Sequence, residues 1–360
     1  MIPPRGWKMS GENWLADLSK LDHSDMYRKI LEFPSMIKRA IELSAEMKVP
    51  NVKGLEDVVF CGMGGSGMGP ELVRSWLMDE ATVPIDVIRD YRLPGYVSPN
   101  TLVCVISYSG DTEESVSCLK EAINRGAKLV SISSDGEMEH LSSESGVPHL
   151  KVPAGFTPRS ALPYLFVPLV KLLQANGIVS PERMIELQKS VASVEAALES
   201  VKVEVPTDKN ESKSLAAKLF GKFPLVYGHG ILSGVALRFR QQLNENAKMM
   251  ASTNAFPEFD HNELEAKRFI AEGKSVAVLL RSRFESDVLR SKIDASRQIL
   301  ESNGQAVLEL RVAAQTAIAE ALSFIAKLDM TSLYLALLNG VDPSSTPRIN
   351  ALKEMLGARY

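Results

Sequence analysis

The chain has 360 residues, of which 45% are hydrophobic and 24% are charged. These fractions are close to the averages of soluble globular proteins and exclude a disordered or fibrous chain, and the length predicts two or three units of roughly 150 residues each. Lysine and arginine number 41 against 44 aspartate and glutamate residues, and no dense basic run is present, so nucleic acid is not an expected partner.

The sequence also bears on membranes, location and redox chemistry. The longest uncharged apolar stretch, around Ala161–Val170, contains two prolines and is far shorter than the roughly 20 residues that span a bilayer. We therefore expect no transmembrane helix and no membrane partner. The polar N-terminus lacks the apolar core of a secretory signal, which predicts a cytoplasmic protein. Cys61, Cys104 and Cys118 are too few and too dissimilar in setting for a disulfide framework or a zinc site.

The first half of the chain alternates short β-branched runs with amphipathic segments, which is the pattern of a doubly wound α/β unit with a parallel sheet. The predicted elements are, in chain order, a helix over Asp25–Met47, strand Asp57–Cys61, helix Pro70–Met78, strands Ile85–Ile88 and Thr101–Ser107, helix Thr112–Arg125, strand Lys128–Ser133, and helices Tyr164–Gln174 and Glu182–Ser200.

The second half repeats this pattern. Its predicted elements are strand Leu225–Tyr227, helix Leu237–Leu243, strand Ser275–Leu280, helix Asp287–Ser302, strand Ala306–Arg311 and a last helix over Thr346–Gly357. The glycine turns and the later strands of the two halves align at nearly the same offset, which indicates two similar units. The predicted boundaries are an N-terminal helical segment over 1–50, units over 51–200 and 205–345, and a C-terminal helix over 346–360.

The first candidate site is the glycine-rich turn Gly62–Gly69, which lies between a predicted strand and a predicted helix. Glycines allow a ligand to approach the main chain, and N–H groups at a helix N-terminus bind anions. Three of the glycines satisfy G-x-G-x-x-G, and Asp86 or Asp90 follows about 20 residues later, so a dinucleotide site stays open. A tight turn without any ligand explains the same glycines.

The second candidate site follows the most apolar strand, where Ser107, Ser109 and Thr112 place three hydroxyls in one turn at the start of a helix. Each hydroxyl can donate to a phosphate oxygen. Ordinary helix capping by Asp111 or Thr112 accounts for one or two of these side chains, but it does not require three. Since ligands of open α/β sheets bind at the carboxyl ends of the strands, both turns are expected to face one crevice. Two small anion-binding turns favour a compact monophosphate over a dinucleotide.

Four polar segments later in the chain carry single residues of catalytic type, namely Arg159, Glu245, His261 and Lys353. Taken one at a time, such residues are usually surface charges or satisfied polar groups. Their combination with the two turns is more informative.

Together these segments resemble the sugar isomerase (SIS) superfamily, most closely the bifunctional phosphoglucose/phosphomannose isomerases. The resemblance covers roughly Asp57 to the end of the chain and rests on FCGMGGSGMGPEL, VISYSGDTEES, TPRSALPY, QQLNENAK, PEFDHNELEA and GVDPSSTPRINALKEML. It implies two SIS-type α/β units and an aldose–ketose isomerase acting on glucose, mannose and fructose 6-phosphates. By position, it implies that the phosphate is held by Gly65, Ser66, Ser107, Ser109 and Thr112.

The resemblance also implies four residues for the reaction. Moving a proton between C1 and C2 through an enediolate requires a carboxylate base, which would be Glu245. The developing oxyanion needs a fixed positive charge, which Arg159 can supply without losing its proton. His261 and Lys353 would serve ring opening, and a histidine can exchange a proton in either direction near neutrality.

Further expectations concern specificity, cofactors and partners. The resemblance suggests that Thr346 is the small hydroxyl residue that would leave space around C1–C2, so that both epimers could form. No cofactor or metal is expected, although Asp260 and Glu263 beside His261 keep a metal hypothesis open. The resemblance implies a homodimer, with His261 contributed across the interface. Two other functions remain: a phosphosugar-sensing SIS module without catalysis, and an NAD-dependent oxidoreductase.

Overall fold

The structure is a computed structural model of the chain, and it describes residues 14–266 and 273–357. The first thirteen and the last three residues of the predicted terminal segments lie outside the described residues. The helices are α1 (Trp14–Leu21), α2 (Met26–Leu31), α3 (Phe33–Ala45), α4 (Met68–Leu77), α5 (Glu113–Asn124), α6 (Glu137–Ser145), α7 (Leu162–Ala175), α8 (Glu182–Glu199), α9 (Glu211–Leu219), α10 (Ile231–Glu245), α11 (Asp287–Ser302), α12 (Ala317–Leu338) and α13 (Pro347–Met355).

The strands are β1 (Asp57–Cys61), β2 (Ile85–Ile88), β3 (Thr101–Ile106), β4 (Lys128–Ser133), β5 (His149–Lys151), β6 (Phe223–Gly228), β7 (Ser252–Ala255), β8 (Ser275–Arg281) and β9 (Ala306–Arg311). Within the described residues the chain forms two compact units. The five-stranded unit consists of residues 32–191 and 347–357, and the four-stranded unit consists of residues 14–31 and 192–346. The domain boundaries from the sequence stay a prediction.

The five-stranded unit contains a parallel sheet in the order β2-β1-β3-β4-β5. All six residues of its central strand β3 are buried, as expected where both faces of a parallel sheet are covered. Helix α5 packs one face through Val116 and Leu119, which join Val103 and Val105 of β3 in one apolar cluster. Helix α7 packs against both α3 and α4. Because β1 and β3 are neighbours, the turns that follow them lie side by side.

The four-stranded unit contains a parallel sheet in the order β7-β6-β8-β9. Strands β6, β7, β8 and β9 take the positions that β1, β2, β3 and β4 take in the other sheet. The predicted fold class, two similar doubly wound units, is therefore confirmed. The five-stranded unit differs by its additional edge strand β5.

Helix α12 is the main apolar helix of the four-stranded unit, and the sequence prediction missed it. It is long and apolar enough to cross a membrane by length and composition, but 89% of its most apolar window is buried in the protein. It packs against α9 and α10. Because almost all of its faces are apolar, it lacks the one-sided pattern that marks an amphipathic helix. Packing inside the unit accounts for its composition.

Several other predictions were confirmed or corrected. β1, β2, β4, β9 and α11 have the predicted bounds, and the three cysteines are free and buried. The single helix predicted over Asp25–Met47 is wrong: it divides into α2 and α3, since Pro34 in the first turn of α3 cannot continue a preceding helix. Helix α10 begins at Ile231 rather than Leu237, because burial of its first turn outweighs the low helix propensity of Gly234.

Candidate functional site

The glycine loop, defined as Gly62–Gly69, follows β1 and leads into α4. Its main chain is tightly turned, with Ser66 N donating to Met63 O at 2.8 Å. Gly65 touches a distant part of the chain: a Cβ there would lie 2.7 Å from both Arg159 N and the carbonyl carbon of Pro158. The close approach of the main chain therefore requires glycine at this position, whether or not a ligand binds there.

The hydroxyl loop, defined as residues 107–112, follows β3 and leads into α5. Ser107 Oγ donates to Thr112 Oγ1 at 2.9 Å and lies 3.5 Å from Ser109 Oγ. Gly110 N donates to Ser107 Oγ at 3.2 Å. The three hydroxyls predicted to act together thus form one cluster, which runs from the fully buried Ser107 to the exposed Ser109.

Helix capping does not account for these hydroxyls. Thr112 is the N-cap residue of α5, but its side chain makes no capping hydrogen bond. Since Thr112 Oγ1 accepts a hydrogen bond from Ser107 Oγ, its own hydroxyl hydrogen can be donated to a ligand oxygen. At α4 the N-cap is Gly67, which has no side chain to offer. Both helices therefore present N-terminal N–H groups that can bind an anion.

The two loops are held together directly. Tyr108 N donates to Ser66 Oγ at 3.0 Å, and Ser66 is 5% exposed. This bond crosses from the loop after β3 to the loop after β1, at the carboxyl edge of the sheet. The expectation that both loops belong to one crevice agrees with this geometry.

Two arginines lie at the end of the glycine loop and at the start of α4. Arg89 Nη2 lies 3.3 Å from Gly67 O and 3.0 Å from Glu71 Oε2. Glu71 is buried at the start of α4 and is also paired with Arg74. These two arginines compensate a carboxylate that would otherwise oppose an anion in the loop. Sequence reasoning missed Arg89; its position directly after β2, the neighbour of β1, is the signal that could have found it.

The acidic residues proposed for a dinucleotide site are engaged elsewhere. Asp86 accepts a hydrogen bond from the Tyr96 hydroxyl, and Asp90 Oδ1 accepts one from Tyr91 N at 2.6 Å. Neither arrangement is that of a carboxylate reserved for a ribose. The geometry therefore favours a phosphosugar over a dinucleotide at the glycine loop.

Arg159 belongs to the same unit as the two loops. It lies in the short 3-10 turn Pro158–Ser160 before α7 and is 5% exposed. Its main chain contacts Gly65, as described above. A buried arginine whose main chain abuts the glycine loop is suited to stabilising a negative charge with a fixed positive one, since it stays protonated.

Glu245 is the last residue of α10, in the four-stranded unit, and is half-buried. The chain after it is firmly anchored: Lys248 Nζ donates to Glu245 O at 2.5 Å and to Asp342 O at 2.9 Å. Asn246 is fully buried and donates to Ser332 Oγ at 2.9 Å. The helix end that carries Glu245 is therefore held in one position.

His261 ends the 3-10 turn Glu258–His261 and is exposed. Two neighbours anchor the turn. The buried Phe259 ring lies 4.5 Å from the Tyr227 ring, and Asp260 Oδ1 accepts from Ser296 Oγ at 2.6 Å. Burial, with the Glu263 carboxylate nearby, raises the pKa of Tyr227. Among the described residues no group of three or more His, Cys, Asp or Glu side chains could hold a metal ion.

The predicted site residues divide between the two units. The five-stranded unit contains Gly65, Ser66, Ser107, Ser109, Thr112, Arg159 and Lys353, and the four-stranded unit contains Glu245, His261 and Thr346. The hydrogen bonds and close contacts above bring the first six of these together. Thr346 directly precedes α13 and is partly exposed, and Lys353 is exposed on α13.

Comparison with known proteins identifies the family. The model of the bacterial phospho-glucose isomerase C-terminal SIS domain matches residues 208–356. A bifunctional phosphoglucose/phosphomannose isomerase from Caldicellulosiruptor bescii is 33% identical over 337 residues, which cover 92% of this chain and 98% of that protein. This chain belongs to the bifunctional phosphoglucose/phosphomannose isomerase family.

Two further similarities extend the comparison. A D-glucosamine-6-phosphate 4-epimerase from Sulfolobus acidocaldarius is 32% identical over 244 residues, covering 67% of this chain and 72% of that protein. The crystal structure of a hypothetical protein from Thermus thermophilus superimposes with a TM-score of 0.72 at 16% identity, covering 96% of this chain and 93% of that one. This last similarity supports the fold described above.

Proposed function

We propose that this protein is an aldose–ketose isomerase that interconverts glucose 6-phosphate and mannose 6-phosphate with fructose 6-phosphate. Family membership supports this activity. The observation that carries the assignment is the Ser66–Tyr108 hydrogen bond, which joins a glycine turn and a three-hydroxyl turn at the carboxyl edge of one sheet.

The substrate's phosphate is bound by these two loops. The hydroxyls of Ser66, Ser107, Ser109 and Thr112 and the N–H groups at the starts of α4 and α5 are suited to a compact dianion. Gly65 allows close approach of the phosphate to the main chain. This arrangement binds a group common to all three sugars, so it holds the substrate without selecting an epimer.

Glu245 is the base. It takes the C2 proton of the open-chain aldose phosphate; the bonding pair forms the C1–C2 double bond, and O1 receives the negative charge of the enediolate. Returning the proton to C1, while the O2 proton passes to O1, leaves the carbonyl at C2 and yields the ketose. The Arg159 guanidinium stabilises the enediolate oxyanion because its charge does not titrate near neutrality.

Ring opening and epimer choice involve the remaining residues. His261 and Lys353 exchange protons with the ring oxygen and O1 of the cyclic sugar before isomerisation. Thr346 is small enough to leave space around C1–C2, so that the enediolate can present either face of C2 to Glu245. We further propose that the protein is cytoplasmic and forms a homodimer, in which His261 of one subunit contributes to the active site of the other. Light scattering combined with size-exclusion chromatography can test the oligomeric state.

The deciding experiment is proton NMR of fructose 6-phosphate with the purified protein in D2O containing a chelator. We expect the anomeric signals of both glucose and mannose 6-phosphates, with deuterium at C2. A protein that binds the sugar without turnover would instead be a sensing module. Turnover of glucosamine 6-phosphate at C4, with none of fructose 6-phosphate, would place the chain with the epimerase relative and refute the proposal.

A further inference from the structure

Tyr108 lies between the two serines of the hydroxyl loop, and its side chain is buried. Besides the bond from its N–H to Ser66 Oγ, its carbonyl oxygen accepts from Ser134 N at 2.9 Å and from Ser134 Oγ at 2.7 Å. The main chain of this one residue therefore connects the glycine loop, the hydroxyl loop and the loop after β4.

The phenol of Tyr108 contacts a fourth segment, residues 153–157, which precedes the Pro158–Ser160 turn. Its hydroxyl donates to Pro153 O at 2.9 Å and accepts from Phe156 N at 2.9 Å. Burial raises the pKa of Tyr108, although the hydrogen bond from Phe156 N opposes the shift. The phenol therefore retains, throughout the neutral range, the proton that it donates to Pro153.

The segment held by the phenol leads directly to Arg159. Only two residues lie between Phe156 and Arg159, whose main chain abuts Gly65 on the glycine loop. The Arg159 main chain is thus held by its own close approach to Gly65 on the glycine loop and, through the segment that precedes it, by the two hydrogen bonds of the Tyr108 phenol.

We propose that Tyr108 is a positioning residue that sets the place of Arg159 relative to the phosphate-binding loops through its phenolic hydroxyl. This inference rests on the proposed function in one respect, namely that Arg159 stabilises the enediolate. Pro153 and Phe156 are partly exposed, so water can replace the phenol as their hydrogen-bond partner. Loss of the hydroxyl therefore releases the segment at little cost in stability, which separates a positioning role from a structural one.

The test is Tyr108→Phe, which removes the hydroxyl and retains the ring and the main-chain bonds to Ser66 and Ser134. We expect kcat for fructose 6-phosphate to fall about 10- to 100-fold, the range associated with a displacement of about 1 Å at a reacting centre. The inhibition constant of inorganic phosphate, measured by competition, should stay within about two-fold, since the phosphate contacts do not use the phenol. Equal losses in kcat and in phosphate affinity would indicate general disruption of the site and overturn the proposal.

Tyr164→Phe is the matched control. Tyr164 is also buried in the five-stranded unit, with its ring 5.9 Å from that of Phe156, and within the described part of the chain no hydrogen bond of its hydroxyl is found. We expect this variant to retain the wild-type kcat. An equal loss of kcat in both variants would show that removing any nearby phenol has the same effect, against a specific role for Tyr108.

A double-mutant cycle with Arg159→Ala distinguishes this inference from the proposed function. If Tyr108 acts through Arg159, adding Tyr108→Phe to Arg159→Ala changes the rate of deuterium incorporation by less than about two-fold. An undiminished effect of Tyr108→Phe in that background refutes positioning while leaving the role of Arg159 intact. A wild-type rate for Arg159→Ala alone refutes the role of Arg159 in the proposed function, and the inference fails with it.

Discussion

Replacing Gly65 with alanine tests the contact between the glycine loop and the Arg159 turn. The added Cβ would lie 2.7 Å from Arg159 N and from the carbonyl carbon of Pro158. Both are main-chain atoms, which cannot rotate away as the end of a flexible side chain can. Because ordinary contact begins at 3.4 Å, the turn and the loop must separate by about 0.7 Å.

Two opposing terms determine the change in stability. Overpacking of this kind typically destabilises by about 1–3 kcal/mol, while alanine reduces the freedom of the unfolded chain by about 0.4–1 kcal/mol. We therefore expect Gly65→Ala to lower the free energy of unfolding by about 1–2 kcal/mol. A displacement of this size at the glycine loop and at Arg159 is expected to lower kcat/KM about 10- to 100-fold.

Gly95→Ala is the matched control, since it makes the same chemical change in the same unit. A Cβ at Gly95 meets nothing within 4 Å, and its backbone lies outside the left-handed region. It should leave kcat/KM unchanged and raise the free energy of unfolding by up to about 1 kcal/mol. The assay couples glucose 6-phosphate formation to a dehydrogenase, and urea unfolding followed by circular dichroism gives the stability.

The reasoning would be refuted if folded Gly65→Ala protein had a kcat/KM within about two-fold of both the wild type and Gly95→Ala. Such a result would mean that the Arg159 turn can move by the required distance without consequence. Reduced activity in both variants would also contradict the argument, because Gly65 is closely packed and Gly95 is not.

Three other predictions concern the base, the specificity and the pH dependence. Glu245→Gln should abolish deuterium incorporation at C2 while phosphosugar binding, measured calorimetrically, stays within a few-fold; retained turnover would show that another group is the base. Thr346→Gln should suppress formation of one epimer, so unchanged proportions of glucose and mannose 6-phosphates in the NMR assay would remove Thr346 from specificity. Burial lowers the pKa of His149 below the usual histidine value of 6.5, with Glu139 opposing and Lys151 reinforcing the shift, and its Nδ1 lies 2.7 Å from Ser131 Oγ. Because the unfolded state then binds the proton more readily, stability should be full above about pH 6.5 and fall as the pH drops through the folded-state pKa. His149→Asn should flatten this decline in urea unfolding, whereas His140→Asn, at an exposed histidine on α6, should not.

A strand could be predicted where its own residues form an apolar or β-branched run, without any information from the strands that pair with it. β1, β2, β4 and β9 are β-branched or apolar runs bounded by turn residues, so their limits follow from local sequence. The short strands β5 and β7 were missed. Their sequences, HLK and STNA, have no continuous apolar character, and they become strands only through pairing with β4 and β6.

The helices show the same division. α11 was found in full because its apolar residues recur on one face and Ser286 caps it through a bond from Leu289 N. α12 was missed because burial on nearly every side removes the polar face that would mark its period. A helix that is buried on nearly every side therefore has no alternation of polar and apolar faces by which its sequence could be recognised.

The candidate site follows a similar rule. Local sequence was sufficient to predict the fold class and to single out the two candidate ligand-binding turns, because glycines and hydroxyl side chains next to strand ends are visible in the sequence itself. The contacts of Gly65 with the Arg159 turn, and of Tyr108 with residues 153 and 156, required the folded chain. They join main-chain atoms far apart in sequence, and main-chain donors and acceptors are the same in every residue, so nothing in the order of side chains reveals which of them will meet.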